Sequence, residues 1–383
     1  MIVTEITRDI TGQDGVLSST VRWEHRRGST RIWFRFPGAY ASYLTEGADP
    51  FLAATLLPSM ALGERLLIEA DVSPRLLSAV ERIQALYAEW FHYTRIVPVT
   101  VGVRTPTDSA GAIGCFFSGG VDSFYSLLKR KSLYDGGAGD ITHLIFIHGC
   151  DIGLHQRSLY RKVLGHIQTI AESAQKELLT VSTNLKQFGR EFVSYVHYSG
   201  AILAAIGLAC GGLFREVMIP SSFAQEQLHP WGSHPLLDPL WSTESTAVVH
   251  DGCEISRLRK TTEWICASDL ALRHLRVCWK NRHGRYNCGE CEKCLRTMIA
   301  LYQANALARC GTFAGLSLSR LKRRLKLKSL AELKFAQENL EGLTRMSEKD
   351  DFTMALIEAL QDLILQGTRN RTAEGRNKPG KDQ

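Results

Sequence analysis

The chain has 383 residues, of which 44% are hydrophobic and 22% are charged, and its formal net charge is +7. This length favours about two domains with a sizeable core, and ten cysteines are too sparse for a disulfide scaffold. The first residues, MIVTEITRDITG, carry charge and no long apolar run, which argues against a secretory signal. We therefore expect a cytoplasmic globular protein.

The excess of positive charge lies near the C-terminus. Residues 320–328 contain six basic residues and no acidic one, and the tail after Gly367 contains five basic and two acidic residues. A contact with nucleic acid is one interpretation of this basic region. The interpretation that we favour is a solvated helix face, with Leu318, Leu321 and Leu325 turned inward.

Residues 1–103 form the first predicted unit, a small α+β domain whose role the sequence does not indicate. The stretch TVRWEHRRGSTRIWFRF is typical of a β-hairpin, and residues 66–72 and the run IVPVTVGV are typical of strands. Ser73 followed by Pro74 predicts the start of a helix, because serine caps helices and proline suits the first turn. Residues 104–111, RTPTDSAG, then form a linker rich in turn residues.

From residue 112 the sequence alternates between short apolar runs and helical runs. Strands are predicted at 112–117, 141–148, 178–182, 215–221 and 245–250, and helices near 121–131, 156–174, 191–210 and 256–265. This alternation predicts an α/β fold with a doubly wound parallel sheet. The apolar stretch from Phe192 to Phe214 is long enough to cross a bilayer, but its place between two strands favours a buried helix and no contact with a membrane.

The end of the chain is predicted to be helical and then disordered. The α/β domain, including a cysteine-rich segment, spans residues 112–310. Residues 311–366 form a helical, basic extension, and residues 367–383, GTRNRTAEGRNKPGKDQ, form a disordered tail.

The stretch FFSGGVDSFYSLLKR, residues 116–130, places a glycine-rich turn between a strand and a helix. Ligands of open α/β sheets bind at such turns. The unpaired N–H groups at a helix N-terminus favour a phosphate, and the two glycines let an anion approach the backbone. Ser118 and Ser123 add hydroxyl donors, and Asp122 is a candidate to cap the helix or to hold a metal ion. No lysine directly follows the glycines, so the turn differs from a Walker motif.

Four cysteines lie within 17 residues, in the segment CWKNRHGRYNCGECEKCLRT. They are Cys278, Cys288, Cys291 and Cys294. The Cys-x-x-Cys spacing lets two thiolates reach one ion from a tight turn, and four thiolates suit a structural zinc ion in tetrahedral coordination. An iron–sulfur cluster is the alternative. A zinc ion would fix residue 278 and the following helix at one site.

Polar residues follow the fourth predicted strand of the α/β domain, in the segment IPSSFAQEQLHPWGSHPLLDPLWSTE. We expect this loop to lie at the same sheet edge as the glycine-rich turn and to bind a flat heterocycle, since it combines polar side chains with an aromatic one. A turn-rich loop with capping residues is an equally good interpretation of each residue. The candidate substrate-binding residues are Ser221, Ser222, His234, Asp238 and Trp241.

The sequence Ser-Gly-Gly-Val-Asp-Ser after an apolar strand resembles the pyrophosphate loop of the N-type ATP pyrophosphatases. The resemblance implies an adenine nucleotide alpha hydrolase fold and a reaction of ATP with Mg²⁺, in which AMP is joined to a substrate oxygen and pyrophosphate leaves. For catalysis it implies Ser118, Asp122, Ser123 and Lys260. For nucleotide binding we expect Ser118, Gly119, Gly120, Val121, Asp122, Ser123 and, after the second strand, Asp151.

The loop and the cysteine array together resemble the 7-cyano-7-deazaguanine synthases of the QueC type, over about residues 112–305. Those enzymes carry a Cys-x8-Cys-x2-Cys-x2-Cys zinc site. Here nine residues separate the first two cysteines, and Arg296 after the last cysteine also fits. The resemblance implies that 7-carboxy-7-deazaguanine is adenylated on its carboxylate. Ammonia then gives an amide and, after a second round with ATP, the nitrile of queuosine biosynthesis.

The chain differs from the housekeeping synthases in carrying about 110 residues before the loop and some 75 after the cysteine helix. We therefore favour a specialised ligase, similar to QueC-like proteins of phage-defence operons, which passes the activated carboxylate to an amine on a protein. The N-terminal unit would dock such a partner, and a homodimer is a further expectation. The alternatives are plain nitrile synthesis, a tRNA-modifying enzyme that uses the basic C-terminal region, and a scaffold that binds ATP without cutting it.

Overall fold

The computed structural model describes residues 1–24, 27–100, 102–103, 105 and 108–377. Its strands are β1 (Ile2–Ile10), β2 (Asp14–Arg22), β3 (Ser29–Pro37), β4 (Leu66–Ile68), β5 (Pro98–Thr100), β6 (Ala112–Phe116), β7 (His143–His148), β8 (Glu177–Thr183), β9 (Phe214–Pro220) and β10 (Ala247–Asp251). Its α-helices are α1 (Asp49–Leu62), α2 (Pro74–Phe91), α3 (Val121–Tyr134), α4 (Arg157–Ser173), α5 (Leu185–Gly189), α6 (Tyr195–Ala209), α7 (Arg257–Arg259), α8 (Asp269–His274), α9 (Glu292–Gln303), α10 (Leu318–Arg324), α11 (Leu330–Thr344) and α12 (Asp351–Asn377). A π-helical segment, Lys260–Ile265, continues α7.

The ten strands form one mixed sheet in the order β10-β9-β6-β7-β8-β3-β2-β1-β4-β5. Strands β6 to β10 pair in parallel with one another. Their order is that of a doubly wound sheet, with the direction of strand addition reversing between β6 and β9. The prediction of a mainly parallel α/β sheet is confirmed, and the predicted hairpin is present as the antiparallel pair β2 and β3.

The N-terminal strands extend this sheet instead of forming a separate one. β3 pairs antiparallel with β8, with Phe34 opposite Thr183, and the Trp33 N–H donates to Asn184 Oδ1 at 3.0 Å. The linker predicted at residues 104–111 therefore separates elements that share one sheet. Parts of that linker lie outside the described residues.

The sheet has a core on each face. On β6, Ile113 and Cys115 belong to the core beneath α3 and α4, whereas Phe116 belongs to the core beneath α1, α2 and α6. The core beneath α1, α2 and α6 also holds side chains of β1, β2 and β3, so both halves of the chain bury apolar surface together. The apolar stretch 192–214 contributes α6 to this core, as predicted for a buried helix. Within the described part of the chain, none of the helices combines the length and apolar character that a bilayer crossing requires.

The structure differs from the sequence predictions at two helices. The helix predicted at 191–210 begins later, as α6 at Tyr195, because Ser194 caps it by accepting a hydrogen bond from the Val196 N–H at 3.3 Å, and the short helix α5 before it was not predicted. The tail predicted to be disordered from residue 367 is helical to Asn377 as the end of α12, whose residues before 367 pack apolar side chains against α10 and α11. Residues 378–383 of that tail lie outside the described residues.

The basic segment has the inward face that the sequence predicts. Leu321 and Leu325 are buried against α12, whereas Lys322, Arg323 and Arg324 are exposed. The segment is therefore a solvated helix with an apolar stripe, and its charges lie at the surface.

Candidate functional site

The glycine-rich turn lies where the strand order of the parallel half reverses. β6 ends at Phe116 and is followed by the turn and then by α3. Its neighbour β9 ends at Pro220 and is followed by Ser221 and Ser222. The turn and the start of the polar loop therefore meet at one sheet edge, as predicted. A crevice at such a reversal point is the usual ligand site of an open α/β sheet.

The backbone of the turn is fixed by a left-handed glycine and by hydrogen bonds within the turn. Gly119 has φ of +74°, which glycine adopts readily, and a Cβ there would lie 3.3 Å from Ile167 Cδ1. The Gly120 N–H donates to the Ser123 hydroxyl at 3.1 Å, so Ser123 caps α3 and is not a free donor. Val121, the first residue of α3, is fully buried, so its side chain only anchors the turn.

A cavity of about 200 Å³ opens beside the turn, and we call it the loop cavity. Its walls include apolar side chains from β6, β7, β9 and α6. Its lining residues include Ser118, Asp122, Ser123, Asp151, Ser222, Arg276 and Lys293. The structure thus brings together residues of three predicted segments: the turn, the residue after β7 and the loop after β9.

Asp122 is held by a group of cations. Its Oδ2 accepts a hydrogen bond from Ser222 Oγ at 3.0 Å and forms an ion pair with Arg257, and Lys260 Nζ lies 4.0 Å from Oδ1. Burial opposes ionisation, but Arg257, Lys260 and Lys293 outweigh it and hold the pKa of Asp122 below its ordinary value. The Oδ1 atom is buried and has no hydrogen-bond partner among the described residues.

Lys260 contacts both Asp122 and the loop after β9. Its side chain is fully buried, and Nζ donates to Ser221 O at 2.7 Å and lies 5.2 Å from the centre of the Tyr125 ring. Burial lowers the pKa of Lys260, and the charge of Asp122 counteracts that shift. Lys260 does not line the loop cavity. Its contacts fit a positioning role, which differs from the catalytic role that the resemblance implies.

Three cations of this site were missed by the sequence analysis: Arg257, Arg276 and Lys293. Arg276 and Lys293 line the loop cavity. Lys293 is flanked by two cysteines of the array, and its ammonium has no hydrogen bond or ion pair among the described residues. The signal that could have found these two cations is their closeness to the cysteine motif. Arg257 has no such signal, because it meets Asp122 only through the fold.

The other candidate substrate residues do not line the loop cavity. Ser221 is buried, and its hydroxyl donates to a backbone oxygen of its own loop at 2.9 Å. Asp238 is buried and hydrogen-bonded to His250 Nδ1 at 2.7 Å. Trp241 is fully buried, and His234 packs against an α2 tryptophan with ring centres 4.9 Å apart. This loop turns back beneath α2 because its apolar residues complete the core there.

The four cysteines meet in one place. Their sulfur atoms lie within 4.8 Å of one another and all four residues are buried. The Sγ atoms of Cys278 and Cys291, and those of Cys288 and Cys294, are each 3.9 Å apart. With Zn–S bonds of about 2.3 Å, tetrahedral geometry places sulfur atoms about 3.8 Å apart. The cluster could therefore hold a metal ion such as zinc.

The segment that carries the four cysteines, residues 276–294, packs directly on the glycine-rich turn, and we call it the cysteine segment. Arg276, two residues before Cys278, donates its backbone N–H to Gly119 O at 2.8 Å. Asn287 Oδ1 accepts two backbone N–H groups of the same segment at 3.0 Å and 3.2 Å. Closing the cysteine cluster therefore places Arg276 and Lys293 beside the turn.

The site as a whole offers two cations, one carboxylate oxygen and the N-terminus of α3 at the reversal point of the sheet, next to a cluster that could hold a metal ion. This combination suits a phosphate-bearing ligand. Comparisons of the chain with protein-family models, with curated proteins and with solved structures found no match.

Proposed function

We propose that the chain is an ATP pyrophosphatase of the PP-loop type, which activates a carboxylate by adenylation. The observation that carries the proposal is the position of the Ser118–Ser123 turn at the reversal point of the parallel strands, beside a cavity lined by two cations. N–H groups at a helix N-terminus, together with ammonium and guanidinium groups, favour a polyphosphate. The arrangement therefore supports ATP as the ligand.

In the proposed first step, a carboxylate oxygen of the substrate attacks the α-phosphorus of ATP. The bond from that phosphorus to the oxygen bridging the β-phosphate breaks, and pyrophosphate leaves with the electron pair. The product is an acyl adenylate, whose leaving group is AMP. A free carboxylate would have to expel oxide, so the adenylate is the better acyl donor.

The described residues supply the groups that this step needs. The N–H groups of the turn and the Ser118 hydroxyl would hold the pyrophosphate, and Lys293 and Arg276 would stabilise charge on the transferring phosphate. Asp122 Oδ1, which has no hydrogen-bond partner among the described residues, fits a Mg²⁺ ion, since this ion prefers oxygen ligands. When bound, Mg²⁺ would neutralise phosphate charge.

In the proposed second step, an amine or ammonia nitrogen attacks the acyl carbon, AMP leaves, and the nitrogen loses a proton to give an amide. The resemblance to QueC-type enzymes makes 7-carboxy-7-deazaguanine the proposed carboxylate. The strands β1 to β5, which precede the turn, favour a specialised antiphage ligase with a protein amine as acceptor. Plain nitrile synthesis is the alternative within the same chemistry.

Mass spectrometry of a reaction with ATP, Mg²⁺ and 7-carboxy-7-deazaguanine, with and without ammonia, tests this function. We expect AMP together with an amide or a nitrile. We also expect Ser118→Ala and Asp122→Ala to abolish AMP formation without changing the circular dichroism spectrum. Asp362→Ala, at an exposed position of α12, is the matched control. Wild-type AMP production by either turn variant would show that the turn is not the ATP site.

A tRNA-modifying PP-loop enzyme is the second candidate function. The exposed basic residues of α10, Lys322, Arg323 and Arg324, favour this candidate, and their contacts with phosphates would weaken as salt rises. Native gels with tRNA at low and high salt test it, with all three residues changed to glutamine as the comparison. AMP formation that needs the deazaguanine and no tRNA would exclude it.

A further inference from the structure

A second cavity, of about 790 Å³, lies next to the loop cavity. We call it the α5–α6 cavity, because residues of these helices line it together with residues after β7 and β8 and residues 279–281 of the cysteine segment. It shares Cys150, Asp151 and Tyr195 with the loop cavity. Cavities of this size hold small organic ligands. A molecule bound here would adjoin a nucleotide bound at the turn.

The charged groups around the α5–α6 cavity are mainly cations. Lys186, Arg190 and Lys280 line it, and Asp151 is the one carboxylate among the described residues that do so. Lys186 Nζ donates to Cys150 O at 2.8 Å. The Arg190 guanidinium is exposed and has no hydrogen bond or ion pair among the described residues. Such a lining favours an anion and repels an ammonium group.

Aromatic side chains accompany these cations. Trp279 lines the cavity and is 45% exposed, with Lys280 Nζ 3.8 Å from the centre of its ring. Tyr195 also lines the cavity, with Lys186 Nζ 4.1 Å from its ring centre. Accessible indole and phenol rings bind flat heterocycles by stacking. The cavity therefore combines recognition of a flat ring with recognition of negative charge.

We propose that the α5–α6 cavity binds the carboxylate substrate as a flat aromatic anion, and that Trp279 and Arg190 select it. The inference rests on the proposed function, because it names where the molecule to be adenylated lies. It replaces the loop after β9 as the site of ring recognition, since Trp241 and Asp238 are buried there.

Calorimetric titration of 7-carboxy-7-deazaguanine into the full chain tests the inference. The protein is first saturated with α,β-methylene ATP, which cannot be cut between its α- and β-phosphates. We expect Trp279→Leu to raise the dissociation constant of the carboxylate about tenfold, as stacking on an indole predicts. We expect Arg190→Gln to raise it roughly threefold, as an exposed charge pair predicts.

Two controls isolate the cavity. Trp33→Leu removes a half-buried tryptophan of β3 that also has a cation over its ring, Arg35 at 5.6 Å, and it lines neither cavity. All variants should bind α,β-methylene ATP as wild type does. Titration of the neutral nitrile 7-cyano-7-deazaguanine distinguishes recognition of the ring from recognition of the negative charge. Trp279→Leu should weaken binding of this nitrile, and Arg190→Gln should leave its binding unchanged.

The outcomes separate this inference from the proposed function. If wild type binds the carboxylate and both cavity variants bind it equally well, the α5–α6 cavity is not the substrate site and the adenylation proposal stands. If wild type binds the ATP analogue but not the carboxylate, this result contradicts both the proposed substrate and this inference. Weakened binding in both cavity variants, with an unchanged control, supports the inference.

Discussion

At the scale of single residues, Lys293 places a positive charge at the loop cavity. Burial and the nearby Arg257 lower the pKa of Lys293, and the charge of Asp151 opposes that shift. A bound phosphate would add negative charge beside the ammonium and would favour its protonated form. Under the proposed function, Lys293 is therefore the residue whose change bears most directly on the phosphate step.

Replacing Lys293 with methionine keeps an unbranched side chain and removes the charge. We expect Lys293→Met to slow AMP formation by about a hundredfold, the loss typical of one group that stabilises transition-state charge. Metal content should stay that of wild type, because no cysteine is altered. A pyrophosphate-release assay measures the rate, with Lys326→Met, an exposed position outside both cavities, as the control. An unchanged rate would remove Lys293 from the phosphate site.

Asp122 makes stability depend on pH at the acid end. Burial raises its pKa, but Arg257, Lys260 and Lys293 lower it more, so the folded-state pKa lies below the unfolded value. The ionised carboxylate therefore stabilises the fold fully above about pH 4, and this contribution is lost as the pH falls through the folded-state pKa.

Urea unfolding of wild type and Asp122→Asn across a pH series measures this contribution. The difference in unfolding free energy between the two proteins should be constant at neutral and mildly acidic pH. It should shrink below about pH 4, where the carboxylate of the unfolded wild-type chain takes up a proton before the carboxylate of the folded protein does. A difference that stays constant down to strongly acid pH would show that the cations do not hold Asp122 ionised.

At the scale of elements, the cysteine segment and the glycine-rich turn form one unit. The segment that contains Cys278 donates a backbone N–H to Gly119 O. We expect Cys291→Ser to lose the metal ion, to become less soluble and to bind ATP weakly, because the segment loses its anchor. Metal analysis and nucleotide titration measure the effect, and Cys253→Ser, a half-buried cysteine outside the cluster, is the control. Full ATP affinity in a metal-free protein would show that nucleotide binding at the turn does not depend on the cysteine cluster.

The turn itself depends on Gly119, whose backbone lies in the left-handed region. We expect Gly119→Ala to destabilise the protein by about 1–2 kcal/mol, because a side chain at positive φ is strained. The matched control is Gly165→Ala within α4, where no atom lies within 4 Å of the added Cβ. This control should stabilise the protein by about 1 kcal/mol, because alanine favours a helix over glycine. Thermal unfolding compares the two, and similar shifts would contradict the strain at the turn.

At the scale of the whole molecule, the N-terminal strands cover an edge of the parallel half. β3 pairs with β8, and side chains of β1, β2 and β3 share a core with α6. An uncovered β8 would present unpaired backbone groups beside exposed apolar surface, which promotes aggregation.

Removing residues 1–103 tests this dependence. We expect the shortened chain to be insoluble or to elute as aggregates in size-exclusion chromatography, whereas removal of residues 378–383 should have no such effect. A soluble, cooperatively unfolding chain from residue 104 onward would establish the predicted α/β domain as independent. The role of the N-terminal unit would then lie in docking a partner and not in completing the fold.

The sequence by itself determined the local features of this protein. Apolar runs of strand length, helical periodicity and a serine–proline start predicted the strands β6 to β10 and the helices α2, α3 and α4 within a few residues. The two glycines identified the turn, and the Cys-x-x-Cys spacing identified a cluster whose sulfur atoms do meet. These signals are readable because each depends on residues that are close together in the chain.

Contacts between distant parts of the chain set which residues line the loop cavity. Arg257 meets Asp122 across 135 positions, and β3 meets β8 across about 150. Trp241 and Asp238 share a polar loop with Ser222, yet burial beneath α2 turns them away from the cavity that Ser222 lines. Such contacts depend on how side chains from distant parts of the chain pack together in the two cores. A sequence pattern reports periodicity and spacing along the chain, and it does not record which distant surfaces exclude water from each other.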